Sequence, residues 1–463
     1  DYAKLESAAW WLAATGQAPG ALAAARSRFN QPQVVFQFHR ELIEDKLAQF
    51  QNETREQRPT RNRIQGTLVT GTATVQSLTT AQLSAAGSPD VRLQIMTRGT
   101  VAAPHNVANS GRVRVASSAS SEFTVSAEIY FDGQKFAATA PLAQADTSTR
   151  IKSVAAPRII RRAAARRAQA SRAGAESEGA SLIEREAVAS MEKRLATAVE
   201  KLNAKAAGFL NFMRRIGNWP AQPWVTQLTS TAVQVGHHPR SIAGLGALPH
   251  QMPPFSGQET LGLSFHDGGL EGILTPQVAG KVWTDVNFAM LQRELTGGYT
   301  EEFLIGLDPG RWSAQWAWHA PVRIHFTAEH ASIRYRFDAV EIDGAKYEAP
   351  FEVRARVTLS APPLGFEMHM LEPAAVASLD PGNPLPPHFQ AFLERKFRGL
   401  FGMHFSLDGM QFPAGGALDG MSAFRVAAIH LEPNWVHLRY TNRKPQATLV
   451  RGETAPSPAE PRP

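Results

Sequence analysis

Two distant segments of this chain open alike. Residues 36 to 47 read FQFHRELIEDKL and residues 263 to 274 read LSFHDGGLEGIL. In each, an alternating apolar stretch ends in a Phe-His pair and passes into Leu and Glu at helical spacing, which predicts a strand leading into a helix. A second echo follows in the same order: IYFDGQKFAA at 129 to 138 and VEIDGAKYEA at 340 to 349 share Asp-Gly-x-Lys-aromatic. Both echoes sit in one sequence of strand, helix, meander, long helix and hairpin, and their unequal offsets need only loop changes. Together they predict a tandem duplication, which limits the chain to folds that can be built twice.

The connecting segments predict what each copy contains. Two short helices over 1–30 break at GQAPG. A first unit over 31–240 follows, then a Gly/Pro-rich linker at 241–257, a second unit at 258–443 and a disordered tail at 444–463. From about residue 62 the apolar period becomes two. In FTVSAEIYF, Phe123, Val125, Ala127, Ile129 and Phe131 fall on one face, and Asp132-Gly133 suits a tight hairpin. Ser181 and Glu184 have capping-box spacing, which predicts a long helix over 181–215. Its seam includes Val188, Met191, Leu195, Val199 and Leu202. In the second unit Ile333, Tyr335 and Phe337, then Phe351, Val353, Ala355 and Val357, line one face, while Arg334, Arg336, Arg354 and Arg356 line the other. Pro386 and Pro387 introduce an amphipathic helix, HFQAFLERKFRGLF, with Phe392, Leu393 and Phe397 in its seam. The fold class is α+β: two tandem related units, each a twisted antiparallel sheet wrapped on a long helix, elongated and pseudo-twofold.

This order of elements resembles the tubular lipid-binding superfamily, which includes bactericidal/permeability-increasing protein, the synaptotagmin-like mitochondrial lipid-binding domains and small bacterial envelope lipoproteins. With segments such as LSFHDGGLEGIL and FQAFLERKFRGLF around an Arg-rich middle, the chain also looks like a group of bacterial extracytoplasmic proteins, a likeness that brings no activity with it. The superfamily resemblance implies a lipid or other elongated apolar ligand, no catalytic residues and no cofactor. The disulfide of some animal members has no counterpart, because the chain has no cysteine. That absence also removes any thiol nucleophile or thiolate metal site.

A sheet rolled around a helix without filling the middle leaves an apolar groove, where each buried methylene contributes roughly 0.8 kcal/mol. Groove candidates are Phe123, Val125, Ile129, Phe131, Leu195, Val199 and Leu202 in the first unit. In the second they are Ile333, Tyr335, Phe337, Val353, Val357, Phe392 and Phe397. The same faces equally suit a dry core, and sequence does not separate the two interiors.

The net charge of +7 is concentrated. Arg158, Arg161, Arg162, Arg166 and Arg167 lie in RIIRRAAARRAQASR, which holds no acid. The run suits either a solvated Ala/Arg helix or an anionic partner such as a membrane surface or an envelope polymer. It carries no interleaved aromatics, so nucleic acid is not indicated. FLERKFRGLF has the pattern of an interfacial helix and equally that of a helix lying on its own sheet.

Among the fourteen histidines, His325, Glu329 and His330 lack metalloprotease spacing, and no metal is expected. His39 and His266 suit strand-to-helix caps or satisfied interior positions. His266, Asp267 and Glu271 could supply an acid and a base, but nothing in the sequence organises them. No nucleophile elbow or phosphate loop is present. No apolar run approaches the roughly 20 residues of a membrane span, and a chain opening at Asp1 fits removal of a targeting peptide. The expectation is a non-enzymatic, extracytoplasmic carrier of lipid or another apolar ligand, soluble or peripheral. The alternative is a structural component of the cell envelope with filled units, associating through strand edges or the basic segment into homo-oligomers.

Overall fold

The computed structural model describes residues 2–48, 51–84, 91–217, 224–238, 245–296, 311–361, 366–401, 404–405 and 424–442. The predicted tail at 444–463 and the start of the linker at 241–244 lie outside them. Two helices open the chain, α1 (Tyr2–Thr15) and α2 (Pro19–Arg28). The first half continues with β1 (Val34–His39), α3 (Arg40–Ala48), β2 (Asn52–Ile64), β3 (Thr67–Leu83), β4 (Arg92–Ser110), β5 (Val113–Phe131), β6 (Phe136–Ala138) and β7 (Leu142–Ala155). It closes with α4 (Arg161–Ala170), α5 (Arg172–Gly217), β8 (Val225–Leu228) and β9 (Ala232–His237). The second half opens with β10 (Glu259–His266), α6 (Asp267–Val278), β11 (Val282–Trp283), α7 (Asp285–Thr296), β12 (Trp312–Trp316), β13 (Val322–Phe326) and β14 (Ala331–Ile342). It ends with β15 (Ala345–Tyr347), β16 (Phe351–Ser360), β17 (Phe366–Met370), β18 (Ala375–Ser378), α8 (Pro387–Phe401), β19 (His404–Phe405), β20 (Phe424–Glu432) and β21 (Trp435–Asn442).

These strands form three antiparallel sheets, so the protein is α+β with large antiparallel sheets. One is the meander β2-β3-β4-β5, to which β6 and β7 add on β5. A second runs β11-β12-β14-β16-β17-β19 in the other half. The third, β20-β21-β10-β1-β9-β8, draws three strands from each half. Its middle pair is made by the two Phe-His segments. Phe36 lies opposite Leu263, with Val34 facing Phe265 and Phe38 facing Leu261. Outside this pair, Phe36 faces Val235 and Leu263 faces Leu438.

The alternation expected of β5 holds. Val125, Ala127 and Ile129 are buried against Met191 and Leu195 of α5. Phe123 is accommodated by Gly99 on the neighbouring strand, where a Cβ would meet its ring at 2.6 Å. In the other half, Phe351, Val353, Ala355 and Val357 are buried on one face of β16, while Arg354 and Arg356 are exposed on the other.

Three expectations are corrected. The long helix starts at Arg172, not at residue 181, and spans 46 residues, roughly 70 Å at 1.5 Å per residue. Ser181 therefore caps nothing, and Glu184 accepts a hydrogen bond from the Ala145 amide of β7 at 3.0 Å instead. Asp132 and Gly133 begin a longer turn than a two-residue hairpin: Phe131 pairs with Phe136, and the Asp132 carboxylate accepts from the Gln134 and Lys135 amides. Only the second Asp-Gly, at 343 and 344, makes a two-residue loop, both residues at positive φ. In the second half α6, α7 and α8 all pack on the sheet core, and the longest of these, α8, has only 15 residues. It lies on its own sheet, with Phe389, Phe392, Leu393 and Phe397 buried.

Helix α5 also pins the edges of the first meander. Its Glu176 accepts from the Thr149 amide of β7 at 2.7 Å, and Asn203 both accepts from and donates to the backbone of Phe136. On the far edge Glu178 accepts from the Gln65 amide, and Glu186 pairs with Arg58 of β2. Sheet and helix thereby close a tube, and side-chain carboxylates occupy amide donors that an edge strand would otherwise present.

Candidate ligand cavity

The tube is filled at one end and hollow at the other. Where Ile129, Met191 and Leu195 meet, the interior is closed by Leu93, Ile95 and Phe136. Toward the β2–β3 and β4–β5 turns the inward positions become small: Ala73, Ala103, Ala108 and Ala119 on the sheet, Ala164, Ala168 and Ala175 on the helices. Side chains that short leave a cavity of about 670 Å³. The cavity is open to solvent on one side, and its volume lies within the range of roughly 300–1,000 Å³ for ligand sites. Val69, Val101, Val115, Leu182 and Ile183 supply its larger apolar surface. Among the lining hydroxyls, Ser121 and Thr147 hydrogen-bond each other at 2.9 Å across β5 and β7. This pairing satisfies polar atoms in the wall without a ligand.

The basic segment forms part of this wall. Ala164, Arg167 and Ala168 of α4 line the cavity, while Arg158, Arg161, Arg162, Arg166 and Arg167 are all exposed. Just before the helix, Ile159 is 96% exposed and Ile160 is exposed beside it. The same end carries exposed Arg61, Arg63, Arg112, Arg114 and Lys152. No Asp or Glu occurs in segments 57–83, 91–121 or 147–175. An apolar knob in a mainly basic surrounding results, with Glu178 of α5 the acid at the Gln65 turn.

The predicted groove residues are distributed differently. Phe123 and Val125 border a smaller space of about 110 Å³ beside Met191. Val125, Ile129 and Leu195 form a buried cluster, with Val199 and Leu202 packed against it. Phe131 packs at the central sheet, its ring 5.1 Å from that of Phe136. Ile333, Tyr335, Phe337, Val353, Val357, Phe392 and Phe397 come together in one aromatic core. There Phe337 lies 4.5 Å from Trp316, 5.1 Å from Phe351 and 5.8 Å from Phe397. Burial pushes the Tyr335 hydroxyl up to about 12.

The histidine segments are structural in their contacts. His266 Nδ1 accepts from the Gly268 amide at the start of α6. Glu271 accepts from Arg323 and from the Ile324 amide, fastening α6 to β13 as Glu184 fastens α5 to β7. His39 packs against Phe255, ring centroids 5.3 Å apart.

The histidines at the central sheet also set an acid limit on stability. Burial, followed by the charge of Arg439 and by His250 and His430, pushes His437 down to about 3, and burial with His238 pushes His237 down to about 4. A histidine whose folded pKa is depressed is protonated first in the unfolded chain, so its contribution is complete above pH 6.5 and is lost on acidification. Unfolding free energies from chemical denaturation between pH 7 and pH 4.5 should fall by roughly 1 kcal/mol per pH unit for each such group. A flat profile would contradict the buried neutral state.

No helix among the described residues is long and apolar enough to cross a membrane. The cavity-lining alanines were missed because sequence selects large apolar residues; the available signal was the Ala, Ser and Thr richness of the first half. No family model matches the chain, and no curated protein matches it. Among solved structures it is similar to lipopolysaccharide binding protein, at 11% identity and a TM-score of 0.27, over 89% of this chain and 99% of that one. It is also similar to P47 of Clostridium botulinum E1, at 9% identity and a TM-score of 0.27, again over 89% of this chain and 99% of that one.

Proposed function

We propose that this protein is a non-enzymatic, extracytoplasmic carrier that holds lipid or another elongated apolar ligand in the hollow end of its first tube. The observation that carries the proposal is the cavity of about 670 Å³, walled by small and branched side chains with Arg58, Arg61, Asn106, Arg172 and Glu186 also in its lining. The tip bearing Ile159 and its arginines contacts an anionic membrane surface, the isoleucines entering the apolar layer and the guanidiniums meeting headgroups. The filled second half serves as the partner unit. The register of β1 on β10 supports a tandem origin, because the central pair Phe36 and Leu263 holds the same place in both Phe-His segments. The alternative, an assembly protein joined through strand edges, gains little support where α5 occupies the amides of β7.

Native mass spectrometry of the purified chain should reveal co-purifying lipid. Ala119→Trp, which fills the cavity, should remove most of it while circular dichroism stays unchanged. Wild-type protein that carries nothing and fails to take up a fluorescent fatty acid would overturn the carrier, as would undiminished retention by a folded Ala119→Trp.

A further inference from the structure

The central sheet has a second face, turned away from Phe36 and Leu263, and the segment joining the two halves lies across it. Val35 and Trp435 are buried there with Ala247 and packed against Met252. On this face His437 of β21 is 0% exposed, and its Nδ1 lies 2.8 Å from Ser264 Oγ on the adjacent strand. His250, from the joining segment, stacks on it with ring centroids 5.7 Å apart. Glu432, at the turn between β20 and β21, places Oε2 3.2 Å from His250 Nε2 and 3.9 Å from His437 Nε2. Both Nε2 atoms are buried, and neither has a hydrogen-bond partner among the described residues. Buried imidazole nitrogens left this way in a polar cluster require an account.

We propose that His250, Glu432 and His437 bind a divalent transition-metal ion of the Zn²⁺ type. Their three donor atoms all lie within 4.8 Å of one another. Donors about 2.0–2.1 Å from a shared zinc lie roughly 3–3.5 Å apart, so small side-chain rotations bring all three onto one ion. Two imidazoles and a carboxylate suit zinc and its neighbours, whereas calcium and magnesium prefer oxygen cages. The Ser264 contact supplies the outer hydrogen bond usual for a metal-bound histidine: with Nδ1–H donated to Oγ, the Nε2 lone pair is free for the metal.

Other groups around the site are compatible with a cation. Arg439, the nearby positive charge, is committed to Gln37 Oε1 at 2.6 Å and to the Pro253 carbonyl. The Trp435 ring stacks on His250 at 5.2 Å and on His437 at 5.9 Å, shielding the donors from water. His430 pairs across the strands with His437 and is itself exposed. An ion at this point clamps the joining segment to the last hairpin. The site is remote from the cavity and does not depend on ligand carriage.

The test uses the full chain stripped with chelator and titrated calorimetrically with zinc sulfate. One zinc per chain is expected, with a raised melting temperature and no response to calcium. Cobalt should give a visible ligand-field band in its place. Glu432→Gln and His250→Gln, both at partly accessible side chains, should each weaken zinc binding by about 100-fold. His39→Gln should bind as the wild type does. Wild-type protein without stoichiometric zinc, or zinc binding unchanged in both variants, would overturn the site. Should either variant misfold, the zinc absorption-edge spectrum of the wild type with one equivalent bound decides: two imidazole ligands support the assignment and fewer reject it.

Discussion

Lys396→Met should destabilise the protein by about 3–5 kcal/mol, the cost of leaving one partner of a buried ion pair unpaired. Helix α8 carries Lys396 on its inner face, against the interfacial pattern that FLERKFRGLF suggests. Its Nζ lies 2.7 Å from Asp285 Oδ1, with side-chain exposures of only 5% and 3%. The same carboxylate oxygen accepts from Trp312 Nε1 at 2.8 Å, and the ammonium stands over the Trp312 ring. Removing the lysine strands a carboxylate in an aromatic interior. Adding Asp285→Asn to Lys396→Met removes that charge and keeps an acceptor for the indole, so the double variant should recover more than half of the loss. Urea denaturation of wild type, single and double variants measures this directly. A double variant as unstable as the single one would show that the stranded charge is not the cause.

Val353→Arg should abolish cooperative folding of the second half. Val353 is 0% exposed, paired between Tyr335 and Val376 within the aromatic core. Among the described residues no acid is paired beside it on that face to receive a guanidinium. An isolated buried charge costs more than most or all of a typical stability of about 5–15 kcal/mol. Arg356→Ala, on the opposite exposed face and paired with exposed Glu372, should change stability by less than about 1 kcal/mol. Thermal melts and limited proteolysis separate the two outcomes. A native melt for Val353→Arg would mean that this face is solvated, contrary to the packing described. Ligand retained by a Val353→Arg protein with a protected first half would place the bound molecule in the first tube.

Much of this architecture was legible in residue pattern. The period-two rows of β5 and β16 declare their buried faces because one face of each sheet meets a helix and the other meets water. The seam through Met191 and Leu195 declares α5 for the same reason. The beginning of α5 was hidden because residues 158 to 180 are mostly Ala, Arg, Ser and Glu, without an apolar stripe. Its glutamates are spent on the amides of Thr149 and Ala145, partners far away in sequence. Strand β2 was missed because NETREQRPTRNRI has no alternation: it is largely exposed, contains Pro59, and is held by pairing with β3.

The cavity was beyond reach for a different reason. Alternation reveals which side chains point inward, but hollowness depends on how far opposite walls stand apart once Ala103, Ala119 and Ala168 face one another. The His250, Glu432 and His437 cluster has no motif spacing, because the interstrand pairing and the joining segment bring its members together.

The mixed sheet also bears on how the chain reaches its native state. Strand β1 forms early in synthesis but flanks β10, and β10 in turn flanks β21, which emerges near the end. Until then β1 has only β9 and exposes a free edge lined by Val34, Phe36 and Phe38. Such non-local closure slows folding and leaves a nascent species prone to aberrant pairing. A ribosome-bound intermediate with a finished first tube and an unfinished centre is therefore the stage at which a holding chaperone would have the most to protect.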